Sequence, residues 1–440
     1  MIDNLIEKVD NIESSIRNAS SFIYHSTPMT AYSKGPQLDL KDIVGVIGPS
    51  TGRNILLNGS TGIAKTHLAL ACLTGLYGRD NFGILQIDPS LEAEKLFDLD
   101  GEKLQQGLLS EAIKNTKLIT SPGVLLDEVM RAPQAILNIL QAYMNNQAVT
   151  PSGGGSRQVG IEIPGIGFYQ FKIGTCNEGK EFDEGTFNID PAFRRRWPIE
   201  ISLNLFAPNQ YDMEQRSKAA RTGTGLYVSQ SEGVFEDIKE IHTNLNKISF
   251  HPVANEFLAY LGRMDNCIKA VFKTKRERGF SVEKCDGCHA RGLAGKENFC
   301  GNVYAPEAPH EDIANVARGF ALVRAHHIAA SSGKMPKSLE VSFADVLQSF
   351  PFVCATKMGL DPAWLEKSFA SGEPFEAAKA LTINIEQKIM SKVKSLGKLM
   401  LKKDYTPDEL AQIKKYSEED PWSVGLRDFE SVPVQYKGLR

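Results

Sequence analysis

The feature that most constrains the fold is an octapeptide at 59–66, between a short apolar segment and a stretch rich in alanine and leucine. A loop that holds a phosphate needs backbone N–H groups that point inward, and glycine permits the required dihedrals. The N-terminus of the following helix adds a positive dipole end. The segment therefore predicts a strand, a phosphate-binding loop and a helix. The loop residues are Gly59, Ser60, Thr61, Gly62, Ile63, Ala64, Lys65 and Thr66.

The last two loop residues have the chemistry that a nucleoside triphosphate requires. Lys65 can reach the β- and γ-phosphates, and the Thr66 hydroxyl can bind magnesium. Ala64 departs from the usual pattern, because a glycine is expected at that position. The loop indicates a site for ATP and Mg²⁺.

An acidic pair follows a second apolar run. Asp127 and Glu128 end the segment that begins at Val124, about 60 residues beyond the loop, which leaves room for one intervening βα unit. Such a pair alone is typical of a strand that meets solvent. Next to a phosphate loop, it predicts that Asp127 lies near the metal and that Glu128 activates water.

Two further polar features lie downstream. Asn177 ends an apolar strand that begins at Phe171, where it either orients the attacking water or caps a turn. Three consecutive arginines, 194–196, are a solvated face, a nucleic-acid patch or the source of an arginine that enters a neighbouring subunit's active site.

Short apolar runs alternate with helical stretches between residues 53 and 205, which predicts a parallel α/β sheet with helices on both faces. The glycine-rich piece 152–157 does not follow a strand, so we interpret it as a hairpin or flexible loop. The predicted strands are 54–58, 83–87, 123–127 and 171–175, and the predicted helices are 65–77, 91–97, 104–115 and 133–145.

This ordered set resembles an AAA+ ATPase, and within that class it is similar to the MoxR branch. The loop ending 62–66 is common there, and 127–133 resembles the branch's Asp-Glu-Ile-Asn-Arg-Ala-Pro. Residues 184–187, followed by Arg196 and Trp197, resemble its Glu-Gly-Thr-Tyr and Asp-Arg-Phe stretch at the same spacing. The resemblance covers roughly 40–330 and is specific over 53–200.

The resemblance implies roles for three arginines. Its register makes Arg196 the arginine finger, while Arg195, which stands where the family usually has aspartate, remains the alternative. Arg318 resembles the second sensor arginine, although the Ser-Pro that normally precedes it is missing.

The resemblance also implies an architecture and an activity. We expect an N-terminal helix and linker at 1–40, a P-loop AAA+ core at 41–205, a helical lid at 206–350 and a helical C-terminal extension at 351–440. The expected activity is magnesium-dependent ATP hydrolysis in a hexameric ring that remodels or activates a client protein, such as a von Willebrand factor A domain protein. A nucleotide switch with very slow hydrolysis is disfavoured by Glu128, Asn177 and Arg196.

A cysteine-rich insertion near 267–310 falls within the predicted lid. Cys285 and Cys288 form a Cys-x2-Cys knuckle that can direct two thiolates at one metal, and Cys300 offers a third. The fourth ligand is Cys267, His289 or His310. A structural Zn²⁺ site is the favoured interpretation, with an iron–sulfur cluster or unligated thiols as alternatives.

Residues 269–284 are rich in lysine and arginine with two phenylalanines interleaved, which suits nucleic acid or a solvated helix face. They support the alternative function, a motor or processing factor that acts on nucleic acid. The formal net charge of −3 does not favour it.

The composition excludes several classes of protein. The chain of 440 residues is 42% hydrophobic and 23% charged, as in globular proteins. It has no apolar run of the roughly 18 residues that cross a bilayer and no basic, then apolar, N-terminus. With seven cysteines, an odd number, a cytoplasmic location is favoured over an oxidising one.

Two helical patterns flank the core. Ile2, Leu5, Val9, Ile12 and Ile16 predict a helix over 1–20 that packs on its own domain, with a partner helix as the alternative. Thr406, Pro407 and Glu409 predict a helix start. We interpret His326 and His327 as ordinary surface or core residues, because adjacent side chains do not share a helix face.

Overall fold

The computed structural model describes most of the chain, and every structural statement below concerns those residues. The continuous ranges are 2–20, 38–91, 116–149, 156–177, 191–206, 231–255, 310–336, 338–355 and 404–419. The shorter pieces are 98–99, 105, 113–114, 210, 213–214, 217–218, 258, 303–304, 359–360, 374–380, 382–383, 395, 399 and 402.

A five-stranded parallel sheet forms the centre of the fold, in the order β2-β3-β4-β1-β5. β1, β3 and β4 are buried along nearly their whole length, which explains why they are near-continuous apolar runs. The strands are β1 (Ile55–Gly59), β2 (Phe82–Gln86), β3 (Gly123–Asp127), β4 (Phe171–Asn177) and β5 (Ile199–Ser202).

Helices cover both faces of this sheet. On one face, Val124 and Leu126 of β3 share a core with Trp197 and with the helix Gln134–Met144. On the other face, Leu73 and Tyr77 lie so close to Gly123 that a Cβ there would be 2.4 Å from the tyrosine ring. The predicted parallel α/β sheet with helices on both faces is therefore confirmed.

The longer helices are α1 (Ile2–Ala19), α2 (Lys65–Tyr77), α3 (Gln134–Met144), α4 (Phe235–Leu245), α5 (His310–Ser332), α6 (Phe343–Cys354) and α7 (Pro407–Glu419). A π-helical segment spans Asp42–Ile47. The short helices are Gly48–Thr51, Lys117–Thr120, Pro191–Arg194, Val129–Arg131 and Leu203–Leu205.

Four two-stranded pairings complete the described structure. Asp98–Leu99 pairs with Ile113–Lys114, and Ile161–Ile163 pairs with Gly167–Tyr169, both antiparallel. Ser249–Phe250 runs parallel to Glu340–Val341, and Val303–Tyr304 runs antiparallel to Gly359–Leu360.

The predicted N-terminal helix is confirmed and packs on its own domain. Leu5, Val9, Ile12 and Ile16 of α1 are buried. Gly75 of α2 permits the contact, because a Cβ there would lie 2.6 Å from the Ile16 backbone. The predicted start of α7 is also confirmed: Glu409 N–H donates to Thr406 Oγ1 at 3.3 Å, and the Glu409 carboxylate accepts from Thr406 N–H at 3.0 Å.

Two local predictions differ from the structure. The segment 199–202, Ile-Glu-Ile-Ser, is a strand that we did not predict: it alternates between apolar and polar residues, but a run of four residues is a weak signal. Ile113–Lys114 pairs as a strand at the end of the predicted helix 104–115, because its backbone bonds to Asp98–Leu99. The predicted helix 91–97 and the glycine-rich piece 152–157 lie almost entirely outside the described residues, although Val149 and Arg157 beside that piece form an antiparallel bridge.

The chain divides into two compact units. The first comprises 1–29, 36–247 and 322–338, and contains the sheet. The second comprises 30–35, 248–321 and 339–440, and contains α6, where Phe352 packs against Phe320 and Phe375. The predicted domains at 1–40, 41–205, 206–350 and 351–440 stay a prediction. No helix among the described residues is long and apolar enough to span a bilayer.

Candidate active site

The loop between β1 and α2 has the backbone that its glycines allow. Gly62 has φ of 81°, and a Cβ there would meet nothing within 4 Å, so the positive φ alone requires glycine. Ala64, the residue that departs from the usual pattern, has φ of 68°. A non-glycine residue in this region costs roughly 1–2 kcal/mol. The fold therefore keeps a strained residue directly before Lys65, as functional loops often do.

The Lys65 side chain is held inward by three acceptors. Its Nζ donates to the backbone oxygens of Gly59 at 2.8 Å and Ser60 at 2.9 Å, and to Asn177 Oδ1 at 2.9 Å. The residue is 7% exposed. An ammonium group has three donors, so all of them are used. A phosphate that binds Lys65 must replace at least one of these acceptors.

The structure brings Thr66 and Asp127 together. Thr66 Oγ1 donates to Asp127 Oδ1 at 3.0 Å. The contact joins the first turn of α2 to the last residue of β3. A hydroxyl and a carboxylate oxygen are ligands that Mg²⁺ accepts, so this donor set fits the predicted metal.

Thr175 is a site residue that the sequence analysis missed. Its hydroxyl lies inside β4, donates to Asp127 Oδ1 and accepts from the Glu128 backbone N–H at 3.1 Å. It therefore orients both acids. The available signal was a hydroxyl two residues before Asn177 in a strand that also contains Lys172. Alternation along a strand places Thr175 on the same face as Asn177.

Glu128 follows β3 in a strained conformation, with φ of 60° and ψ of 47°. Its carboxylate is half-buried and pairs with Arg131 Nε at 3.0 Å. The left-handed backbone turns Glu128 out of the strand direction, while the arginine holds the carboxylate. The predicted base is thus a fixed group beside Asp127.

Asn204 is a second residue that the sequence analysis missed. Its Oδ1 accepts from the Ser60 backbone N–H at 2.9 Å, so one N–H of the phosphate loop is already bonded. Asn204 lies in the turn after β5, the strand that we did not predict. No local pattern marks it, because its role depends on how β5 pairs with β1.

The three arginines have different surroundings. Arg194 pairs with the buried Glu200 at 2.6 Å, and Glu200 also accepts from Asn58 at 2.7 Å. The Arg195 side chain is exposed. Arg196 is half-buried and donates from Nη1 to Asn145 Oδ1 at 3.0 Å. Arg195 is thus the more exposed of the two candidate finger arginines, whereas the resemblance to the MoxR branch implies Arg196.

Arg318 lies on α5 in the second compact unit. It donates to the Ile248 backbone oxygen at 3.4 Å and to Asn315 Oδ1 at 3.1 Å, and its guanidinium lies 4.9 Å from the centre of the Phe250 ring. Burial lowers the pKa of Arg318 from its ordinary value. These contacts stay within that unit, and its predicted sensor role stays a prediction.

The predicted zinc ligands Cys267, Cys285, Cys288, Cys300 and His289 lie outside the described residues, as do the basic stretch 269–284 and residues 184–187. His310 is the first residue of α5. Cys72, Cys176 and Cys354, which the structure describes, are buried and are not joined in disulfides.

Comparisons with known proteins concern the segment that carries these residues and the fold of the chain. Residues 54–197 match a family model described as AAA domain (dynein-related subfamily). No curated protein matches the chain. A proposed ATPase from Cytophaga hutchinsonii, solved by crystallography, is 15% identical with a TM-score of 0.57, over 86% of this chain and 95% of that one.

At 15% identity, the likeness to the Cytophaga hutchinsonii protein shows a shared fold. A full-length MCM homolog from Methanopyrus kandleri is 10% identical with a TM-score of 0.39, over 81% of this chain and 61% of that chain. The family match covers the loop, both acids and Asn177, which the structure places at one edge of the sheet. Residues 54–197 thus match the AAA domain of the dynein-related subfamily, within a chain that has the parallel-sheet α/β fold of P-loop AAA+ proteins.

Proposed function

We propose that this protein is a magnesium-dependent ATPase of MoxR type, which works as an oligomeric ring and remodels or activates a client protein. The observation that carries the proposal is the convergence of Lys65, Thr66, Asp127, Glu128 and Asn177 at the carboxyl edge of β1, β3 and β4. In open parallel sheets, ligands bind at this edge.

The loop and Lys65 bind the triphosphate in this proposal. The γ-phosphate takes the place of loop acceptors around Lys65 Nζ, and backbone N–H groups of the loop bind phosphate oxygens. Thr66 and Asp127 would hold Mg²⁺, which neutralises charge on the phosphate oxygens when bound. Thr175 keeps Asp127 in position for this task.

Glu128 and Asn177 act on the attacking water. The Glu128 carboxylate accepts the proton of that water, and Arg131 keeps the carboxylate oriented. Asn177 lies beside Lys65, so its amide can position the water next to the γ-phosphate. Arg195 or Arg196 of a neighbouring subunit neutralises the charge that develops on the transferred group.

The mechanical output rests on the MoxR resemblance and on the arginine segment. An arginine finger acts in trans, so it requires that subunits assemble with this surface at a neighbour's nucleotide. Arg195 is exposed at the end of the short helix Pro191–Arg194, where a neighbour can reach it. A ring with the site between subunits couples hydrolysis to movement of the client.

Two measurements on the full chain test the proposal. ATP hydrolysis should require Mg²⁺ and disappear in Lys65→Ala, and the native mass of Glu128→Gln should shift to a ring when ATP and Mg²⁺ are present. Hydrolysis equal in wild type and Lys65→Ala would overturn the enzymatic assignment. A monomer at all concentrations with ATP bound would overturn the ring.

A further inference from the structure

A cluster of histidines and carboxylates lies where three elements of the first compact unit meet. Glu13 is on α1, Asp42 begins the π-helical segment, and His326 and His327 lie on the part of α5 that belongs to this unit. His326 Nδ1 is 3.3 Å from Glu13 Oε1, and His327 Nε2 is 3.4 Å from Asp42 Oδ2. Residues far apart in the chain thus supply one polar centre.

The centre is buried and its hydrogen bonds are incomplete. Glu13 is 4% exposed, Asp42 is 1% exposed and His326 is 8% exposed. Glu13 Oε1, Asp42 Oδ1 and His326 Nδ1 are buried atoms without a hydrogen bond to any residue that the structure describes. His326 Nδ1 and Glu13 Oε1 face each other at 3.3 Å without hydrogen-bond geometry, and buried polar atoms left in this state destabilise a fold, so the arrangement points to a missing partner.

Among the described residues around the cluster, carboxylates outnumber lysine and arginine side chains, and they include Asp10, whose Oδ1 lies 3.6 Å from His326 Nε2. Arg17 pairs with Glu13 Oε2 at 3.0 Å, and Lys41 pairs with Asp39 at 2.7 Å. Asp42 has no lysine or arginine of its own among the described residues.

The donor atoms suit a transition metal. One ligand atom each from Glu13, His326 and His327 can be chosen so that all lie within 4.8 Å of one another. Imidazole nitrogen with carboxylate oxygen is a ligand set of Zn²⁺ and its neighbours in the first row. Adjacent histidines on a straight helix face apart, yet α5 presents both rings to α1 and the π-helical segment, with ring centroids 5.7 Å apart. The sequence-based interpretation of the pair as ordinary residues therefore misses this cluster.

We propose that Glu13, His326 and His327 bind one Zn²⁺-class ion, with Asp42 as the adjacent carboxylate, and that the ion fastens α1 to the nucleotide-binding core. This site is separate from the predicted cysteine site at 267–310. It also stands independently of the ATPase proposal.

The ion has a structural consequence for α1. α1 packs along α2, where Ser20 Oγ lies 3.4 Å from His67 Nε2, two residues beyond Lys65. Removal of the ion should therefore release α1 from the unit and lower the thermal stability, while Thr66 and Asp127 keep their contact. ATP binding should persist with the ion absent.

Metal binding to the full chain tests the site. Chelator-treated wild type should take up one more equivalent of zinc per chain than the double variant His326→Gln/His327→Gln. Glu13→Gln should lower the zinc affinity of that site by more than the roughly 10–100-fold that is typical when a residue behind a metal ligand is lost. The matched controls are His251→Gln in the second unit and Glu7→Gln on the exposed face of α1. Both controls should retain the wild-type zinc content.

Cobalt(II) distinguishes this site from the cysteines. The cobalt(II) absorption that wild type shows and His326→Gln/His327→Gln does not is due to this site. That difference spectrum should lack the intense near-ultraviolet absorption of cobalt–thiolate bonds. If the double variant does not fold, His327→Gln alone, at a half-buried ring, should weaken the same equivalent. Equal zinc stoichiometry and affinity in wild type and His327→Gln would overturn the proposal, as would a thiolate spectrum for the equivalent that depends on the histidines.

Discussion

The Lys65 ammonium donates to the Asn177 amide oxygen at 2.9 Å, which joins the first residue of α2 to the last residue of β4. Gly59 and Asn177 are also register partners at the ends of β1 and β4. A phosphate that competes for Lys65 therefore competes with Asn177. In the proposed ATPase, this contact links nucleotide binding at Lys65 to the last residue of β4.

Loss of the Lys65 cation should abolish nucleotide binding, because the loop has no other charge for the phosphates. Asn177→Ala should still bind ATP but hydrolyse it on the order of 10²-fold more slowly, since it removes positioning and not charge. Titration with a fluorescent ATP analogue and a phosphate-release assay measure the two effects. The control is Lys239→Ala, an exposed lysine on α4. Wild-type affinity in Lys65→Ala would contradict the loop assignment.

Glu128→Gln should retain ATP binding and lose turnover by about 10²–10⁴-fold, because it removes the base and leaves Asp127 and Thr66 in contact. Single-turnover hydrolysis checks this, with Glu162→Gln on an exposed strand as the matched control. The water-activating role is wrong if Glu128→Gln hydrolyses ATP at the wild-type rate.

The arginine finger should reveal itself in mixtures of variants. Arg196→Ala should bind ATP normally and hydrolyse it about 10³-fold more slowly if Arg196 is the finger. If the more exposed Arg195 is the finger, Arg195→Ala should have this effect instead. Mixing that variant with Lys65→Ala should restore activity, because each supplies what the other lacks across a subunit boundary. No rescue at any ratio, in rings shown to be mixed, would argue against a trans finger.

Arg194→Ala is the contrasting control for those variants. It leaves the buried Glu200 without its cation and should lower the free energy of unfolding by about 2 kcal/mol. Denaturant unfolding separates this stability effect from the kinetic effect of the finger.

Ala64→Gly should not destabilise the protein, and should raise the free energy of unfolding by up to about 1 kcal/mol, because glycine adopts φ of 68° without strain. Ala69→Gly within α2 should instead lower it by about 1 kcal/mol. Denaturant unfolding of both variants gives the comparison. A destabilised Ala64→Gly would mean that the loop is not strained there.

Lys172 should make stability depend on pH. Burial lowers the pKa of its amine well below the ordinary value of 10.5, so the unfolded chain binds a proton that the folded chain releases. Stability should therefore rise with pH, from just above the folded pKa up to about 10.5, by up to about 1.4 kcal/mol per unit. Lys172→Met should lose that slope. Unfolding curves at several pH values test it, and an unchanged slope would contradict the released proton.

Sequence reasoning located the parts of the site that depend on neighbours along the chain. The loop from Gly59 to Thr66 is a contiguous signal, and the acids at 127–128 and Asn177 each end an apolar run. Since the carboxyl ends of parallel strands share one edge, their meeting with Lys65 followed from the fold class.

The tertiary structure decided contacts between residues far apart in the chain. Thr175 bonding Asp127, Asn204 bonding the loop, and Arg196 turning to Asn145 all depend on strand order and register, which no local pattern records.

Most of all, only the fold brings Glu13 of α1 to His326 and His327 of α5. Hydrophobic period and turn chemistry are short-range properties, so the sequence by itself determined the helices that carry these groups. The packing of buried faces determined where their polar side chains meet. Burial of apolar surface sets the position of each helix, and the polar side chains then contact the residues that lie opposite them.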